Sequence, residues 1–236
     1  MFERFRQRSL ELERLDRGDY TPEEYEGCLV ELRRVNRWLG DASALRRTAL
    51  RDLERDDARE FSLLDVGAGS GELLRVVAGW ARARGAAARL LGLELNERSA
   101  RSILEESHEF EEVEAVRADA LRLPFADDAF DYAVCSLFTH HFRDEAVVAV
   151  LREMSRVARR RIYVIDIHRH ALPYIFYTTA GRLVLHNSLV REDGALSILR
   201  GFLPEELRRL GEKAGLSGAK VERRFPYRLV LSGGKA

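Results

Sequence analysis

From Phe61 onward, short apolar runs alternate with stretches whose apolar residues recur at helical spacing. The runs predict strands at 62–66, 89–95, 113–117, 130–136, 162–167, 219–225 and 227–232. Helices are expected at 71–83, from the capping residue Asn96 to about 109, at 144–158, at 172–185 and from Pro204 to near Gly215. A loop is expected between the last two. Strand and helix taking turns in this way is the signature of a parallel sheet, because parallel neighbours need a long crossover between them.

Residues 1–58 follow a different pattern, rich in charge and helical throughout. Thr21-Pro22-Glu23-Glu24 reads as a helix start, with Thr as the cap, Pro at the first position and acids in the first turn. Cys28, Leu32, Val35 and Leu39 then fall on one helical face, and Gly40 fits a stop. A second amphipathic helix is expected at 43–54. The block 1–58 is therefore expected to be a helical extension or lid on a domain spanning 59–236, with no linker between them.

The chain of 236 residues is long enough to bury a substantial single core. Lysine plus arginine equals aspartate plus glutamate at 39 each, so net charge supplies no pull toward nucleic acid or a membrane surface. Cys28 and Cys135 form neither a disulfide framework nor a metal motif. The first residues, MFERFRQRSLELER, are charged throughout and lack the core of a signal peptide. The longest apolar run, 171–185, contains Pro173 and Arg182 and is too short to span a bilayer. A cytoplasmic location without nucleic-acid partners or a membrane span is the expectation.

The chemistry concentrates in Phe61–Leu73, FSLLDVGAGSGEL. An apolar strand ends in Asp65, and Gly67, Gly69 and Gly71 follow at alternate positions before a helix. Glycine lacks Cβ, so the backbone can take positive φ and lie directly against a ligand. A dinucleotide fingerprint would place its third glycine at position 72, which is Glu72. A carboxylate there repels a pyrophosphate at a helix N-terminus, where anions otherwise bind well. NAD is disfavoured. The motif Asp65-x-Gly67-x-Gly69-x-Gly71 resembles motif I of the class I S-adenosylmethionine-dependent methyltransferases, and the sequence is most similar to their small-molecule members of type 11 or 12. The likeness covers 61–167 in motif and the remainder in pattern.

That resemblance implies a fold and a cofactor. The fold is α/β, a doubly wound Rossmann-like sheet of seven mostly parallel strands with an antiparallel last strand, plus the N-terminal helical extension. The cofactor is S-adenosyl-L-methionine. Glu94, near the end of the second strand, is placed to accept hydrogen bonds from both ribose hydroxyls. Asp119, after the third strand, matches the acid that meets the adenine amino group, with an Asx turn as its ordinary alternative. Leu95 and Leu121 would flank the adenine ring. The implied cofactor contacts are Asp65, Gly67, Ala68, Gly69, Gly71, Glu94, Leu95, Asp119, Ala120 and Ser136. The segment Cys135-Ser136-Leu137-Phe138-Thr139-His140-His141-Phe142 resembles the cofactor and substrate flank of small-molecule enzymes. It lacks the Asn/Asp-Pro-Pro-Tyr/Phe of base-methylating relatives. A Lys-Pro-Gly-Gly turn common before the fifth strand is replaced by Val157-Ala158-Arg159-Arg160-Arg161, at the edge away from the ligand.

Methyl transfer is an in-line displacement, and a hydroxyl acceptor also needs a base. Four of the six histidines, His140, His141, His168 and His170, follow the fourth and fifth strands. His141 and His168 are the favoured bases, with His140 behind them. No metal site is expected, because no Cys or carboxylate joins the histidines at zinc spacing. Tyr174, Phe176 and Tyr177 lie where relatives insert substrate-covering helices, so 171–200 is a possible cover, and Arg37 and Trp38 could form the other half of a lid. A small, hydrophobic or aromatic acceptor methylated on oxygen is the leading expectation. The alternatives are C- or N-methylation of a small molecule, or a catalytically inactive scaffold that keeps the cofactor.

Overall fold

The structure is a computed structural model that describes residues 2–181 and 185–235. Side chains of residues 2, 3, 29 and 32–39 lie outside that description. The expectations for Leu32, Val35 and Leu39 as a packed face and for Arg37 and Trp38 as a lid therefore fall outside the described residues, as does Arg182.

Seven strands form one sheet: β1 Glu60–Val66, β2 Ala87–Glu94, β3 Val113–Arg117, β4 Phe130–Ser136, β5 Ala158–Ile167, β6 Ser217–Arg224 and β7 Arg228–Gly234. Their spatial order is β3-β2-β1-β4-β5-β7-β6. The pairs β1·β2, β1·β4, β2·β3 and β4·β5 are parallel, and β7 runs antiparallel to both β5 and β6. The chain starts in the middle, winds outward to β3 and then crosses back to β4. The crevice between β1 and β4 is the switch point at which such sheets bind ligands.

Period-two alternation distributes each strand between two cores. Leu64, Val66, Cys135 and Val164 face the helices Asp144–Val157 and Pro204–Lys213. Leu63, Val134, Tyr163 and Ile165 face the helix Glu72–Arg84 and the helical stretch from Asp41 to Arg55. Burying one face of each helix against the sheet supplies the main stabilisation.

The helix Pro22–Leu39 begins as its sequence predicts. Thr21 Oγ1 accepts from the Glu24 amide at 3.2 Å, the Glu24 carboxylate accepts from the Thr21 amide at 3.0 Å, and Gly40 closes the helix with φ 87°. The helix expected at 43–54 is instead three pieces, Asp41–Leu45, a π-turn Arg46–Leu50 and Arg51–Arg55. The wider turn brings Thr48, Ala49 and Leu50 all into the buried side. The stretch read as a loop after 185 holds a helix, Ser188–Arg200, capped by the Asn187 side chain on the amides of Leu189 and Val190. Its pattern hides it, because Asp193 and Arg200 are buried beside Leu189 and Ile198. Those polar side chains are partners of the N-terminal segment: Asp193 accepts from the amides of Arg14 and Leu15, and the Arg200 guanidinium donates to the Glu11 carbonyl. No helix among the described residues is long and apolar enough to cross a membrane.

Candidate active site

At the C-terminal edge of β1, β2 and β4, a cavity of about 960 Å³ opens at the switch point. Its floor is the glycine loop. Gly67 and Ala68 donate to the Leu93 carbonyl at 2.9 and 3.1 Å, which ties the loop to the end of β2. All three glycines have positive φ, at 71°, 58° and 78°. The reasons differ. A Cβ on Gly67 would stand 2.3 Å from the Phe138 ring, so this glycine lets an aromatic ring cover the loop. A Cβ on Gly69 would meet nothing within 4 Å, and Gly69 is the position left open toward the cavity. Gly71 caps the helix Glu72–Arg84 against Ile103 and stands behind the cavity wall.

Two carboxylates close this floor. Asp65 is buried at the tip of β1, and its Oδ1 has no hydrogen-bond partner. Burial, with repulsion from Glu94 added, pushes its pKa up to about 8. Glu94 Oε1 accepts from the Gly69 amide at 2.7 Å and Oε2 from the Leu95 amide at 3.1 Å. Burial raises its pKa while those amides pull the other way. The Ser136 hydroxyl, across the crevice on β4, is also buried without a partner. Orphaned buried polar atoms are costly, and here they share one cavity. An acceptor such as Asp65 suits a ligand with a cationic or N–H group, and Glu94 has two oxygens to offer hydroxyls.

Ile167, Leu172, Pro173, Phe176 and Tyr177 supply an apolar wall around the other half, with Leu189 and Ile198 from the helix Ser188–Arg200. The N-terminal segment crosses above. Tyr20 and Tyr25 stack at 5.0 Å, and the Tyr25 hydroxyl bonds to Ser99 Oγ at 2.8 Å on the helix after β2. Within the cavity, Arg228 and Asp41 form a buried ion pair.

The histidines after β4 meet acids from far away in sequence. His140 Nδ1 lies 2.7 Å from Asp166 Oδ1, and Thr139 and the His140 amide bond the other oxygen. That set holds Asp166 well below the usual carboxylate range, against the cost of its burial. His141 Nδ1 lies 2.8 Å from Asp16 Oδ1. Asp16 and Glu13 raise the pKa of His141 despite its burial and the nearby Arg200. Leu137, at φ 50°, turns the chain from β4 into this pair and is anchored by its amide on Ile165.

The structure brings Asp65, Gly67, Ala68, Gly69, Glu94, Ser136, His140 and His141 into the cavity wall. Several other expected residues stand apart. Asp119 is exposed, and its Oδ1 accepts from the Leu121 amide at 2.9 Å, an Asx turn. Leu95 and Leu121 are exposed, and Ala120 is packed in the core. Gly71 caps a helix. His168 lies outside the cavity wall, next to His170 and Tyr227. Burial, with Arg223, His170 and Arg169 nearby, lowers its pKa to about 4. Glu13, Asp16, Tyr25 and Asp166 were missed in sequence. Only Asp166 carries a local signal, an acid inside the apolar run of β5.

Residues 64–165 match the family described as "Methyltransferase domain". No curated protein matches the chain in sequence. Among solved structures, it is similar to an S-adenosylmethionine-dependent methyltransferase from Aquifex aeolicus, at 17% identity and a TM-score of 0.58, over 84% of this chain and 95% of that one. It is similar to magnesium protoporphyrin IX methyltransferase from Synechocystis PCC 6803, crystallised with bound S-adenosylmethionine, at 14% identity and a TM-score of 0.57, over 84% and 81%. Human N-acetylserotonin methyltransferase, in complex with the same molecule, aligns at 14% identity and a TM-score of 0.56, over 74% and 47%. At such identities the likeness is one of fold.

Proposed function

We propose that this chain, whose residues 64–165 match the family described as "Methyltransferase domain", is a class I S-adenosylmethionine-dependent methyltransferase that methylates a small, hydrophobic or aromatic molecule on oxygen. One observation carries the reading: the glycine loop, the unpartnered Asp65 and the His141–Asp16 pair share one cavity with an apolar, aromatic wall. The two named neighbours act on magnesium protoporphyrin IX and N-acetylserotonin, both small molecules, which supports that acceptor class.

When bound, S-adenosylmethionine supplies an electrophilic methyl group on a sulfonium. Asp65 Oδ1 is the acceptor suited to its cationic amino-acid end, and Gly69 offers backbone with no side chain in the way. Glu94 exchanges or shares its bond to the Gly69 amide to receive ribose hydroxyls. Phe138 covers the loop and excludes water. Asp16, accepting from His141 Nδ1, leaves Nε2 as the lone-pair nitrogen that takes the acceptor's proton. His140, held by Asp166 through Nδ1, supports that geometry, and the position of His168 outside the cavity wall favours His141 over it.

Calorimetry with S-adenosylmethionine and S-adenosylhomocysteine tests the cofactor half. Wild-type protein binds both, and Asp65→Ala or Gly67→Trp weakens both. Absence of binding by the wild type would sink the reading. Transfer of a labelled methyl group to hydroxylated aromatic acceptors tests the other half, and products methylated only on carbon or nitrogen would replace the oxygen assignment.

A further inference from the structure

The proposed methyl transfer uses His141 and does not account for the packing of Glu13, whose Oε1 accepts from the Ser197 hydroxyl at 2.8 Å, against both histidine rings. Glu13 Oε1 lies 3.8 Å from His140 Nε2, and its Oε2 lies 3.8 Å from His141 Nδ1. These separations are too long for hydrogen bonds. Yet Glu13 and His140 are among the most buried polar residues of the chain, at 2% and 3% exposure. One ligand atom from each of Glu13, His140 and His141 falls within 4.8 Å of the other two. Nitrogen and oxygen ligands held at about 2.0–2.1 Å from a tetrahedral ion stand about 3.3 Å from each other. The two separations from Glu13 must close by about half an ångström to reach that spacing, and the widest pair of the three atoms by no more than about 1.5 Å.

A second observation points the same way. Asp166, buried at the end of β5, takes His140 Nδ1 at 2.7 Å and leaves Nε2 directed at Glu13. A carboxylate behind an imidazole fixes the tautomer and ring orientation that ligation requires. Charge is the third. Glu13, Asp16 and Asp166 are three acids in contact with the two rings, and Arg200 is the guanidinium among them, 3.0 Å from Asp16 and 3.7 Å from Glu13. Arg8, which reaches the His140 carbonyl, is matched by Asp144. The cluster thus holds two more acids than guanidinium groups, an excess that the protonated His141 ring or a bound cation offsets.

We propose that Glu13, His140 Nε2 and His141 Nδ1 form a site for a divalent transition-metal ion of the Zn²⁺ or Co²⁺ kind, with Asp16 as an additional carboxylate ligand. Imidazole and carboxylate donors without thiolate suit such ions. On binding, the protonated His141 ring loses its Nδ1 proton to solvent and keeps Nε2–H, whereas the neutral ring moves its one proton from Nδ1 to Nε2, and Asp16 turns its oxygen from Nδ1 to the metal. The ion pins the segment around Glu13 and Asp16 to the end of β4, across 125 residues of sequence. It occupies the wall of the cavity that holds Asp65 and Glu94. Ligation also withdraws His141 from service as a base, so the metal acts as a brake on transfer. The site itself requires neither cofactor nor acceptor and goes beyond the methyltransferase reading.

The test uses protein stripped with a chelator, exchanged into chelator-free buffer and titrated with Zn²⁺ by calorimetry and Co²⁺ by visible absorption. One equivalent binds with proton release, and Co²⁺ develops the absorption of nitrogen and oxygen ligation. Glu13→Gln and His140→Gln each weaken binding at least ten-fold, Asp166→Asn weakens it about ten- to a hundred-fold, and the exposed Glu145→Gln leaves it unchanged. Circular dichroism checks each variant, and if His140→Gln does not fold, Glu13→Gln decides. Wild-type binding no tighter than that of Glu13→Gln overturns the site. Metal binding intact in a protein that binds no S-adenosylmethionine would count against the proposed function alone.

Discussion

Asp65 and Glu94 end the neighbouring parallel strands β1 and β2 with their carboxyl groups in one cavity wall, and together with burial Glu94 pushes Asp65 up to about 8. A carboxyl so perturbed near neutral pH and left with an open oxygen is poised for a cationic ligand. In the unbound protein it carries its proton at pH 7. A bound cation favours the carboxylate, so S-adenosylmethionine binding releases a proton. Calorimetry in buffers of different ionisation enthalpy measures this, and Asp65→Asn removes the release along with affinity. Affinity rises with pH up to about 8 and then levels. The unfolded carboxyl ionises near its ordinary 3.8, so the stability of the unbound protein falls as pH rises from that value toward 8.

Gly67, covered by Phe138, and Gly69, open to the cavity, respond differently to a methyl group. Gly67→Ala combines positive φ with a 2.3 Å clash on Phe138 and costs about 2–4 kcal/mol of unfolding free energy. Gly69→Ala has only its backbone to strain and costs about 1–2 kcal/mol. Thermal or denaturant unfolding of the two variants ranks them, and equal costs would contradict the assignment of Phe138 as the cover.

With His141 as the proposed base, Asp16 sets its working pH. Transfer would then require the unprotonated ring, and the expected outcome is a kcat that rises with pH through a pKa above the ordinary 6.5. Asp16→Asn removes a raising charge and hydrogen bond, shifts that limb to lower pH and lowers the plateau, while His141→Ala drops kcat by about 10²–10⁴-fold. The same raised pKa stabilises the docked N-terminal segment. Its contribution is complete below pH 6.5 and is lost as pH rises through the folded value. Hydrogen exchange of residues 9–17 reads the loosening at alkaline pH.

Tyr25 closes the cofactor end through one hydroxyl, 2.8 Å from Ser99 Oγ. Tyr25→Phe keeps the stacking on Tyr20 and loses about 0.5–1.5 kcal/mol, so KM for S-adenosylmethionine rises about two- to ten-fold with kcat unchanged. Steady-state kinetics separates this from a change in chemistry.

The strand pattern, the glycine spacing and the acids at strand ends were legible from the chain, because each depends on neighbours within a few residues. The β3 and β4 boundaries and the start of the helix at Pro22 follow directly from apolar runs and capping residues. The helix Ser188–Arg200 was not legible. Its buried Asp193 and Arg200 satisfy groups on the N-terminal segment, so its sequence lacks a clean apolar face. Asp119 carries two local readings, with the adenine-contacting acid favoured over an Asx turn, and its amide partner at Leu121 belongs to the turn.

What the sequence determined by itself is the α/β sheet and the floor of the site, from Asp65 through Gly69 to Glu94, since strand periodicity and glycine chemistry are local properties. Tertiary structure decided which histidines face the cavity and what stands beside them. Glu13 and Asp16 reach His140 and His141 only because the N-terminal segment folds back over β4, and burial there turns four ordinary side chains into one coupled charge cluster. Distance in space and exclusion of water set that coupling, and neither is written in the spacing of residues along a chain.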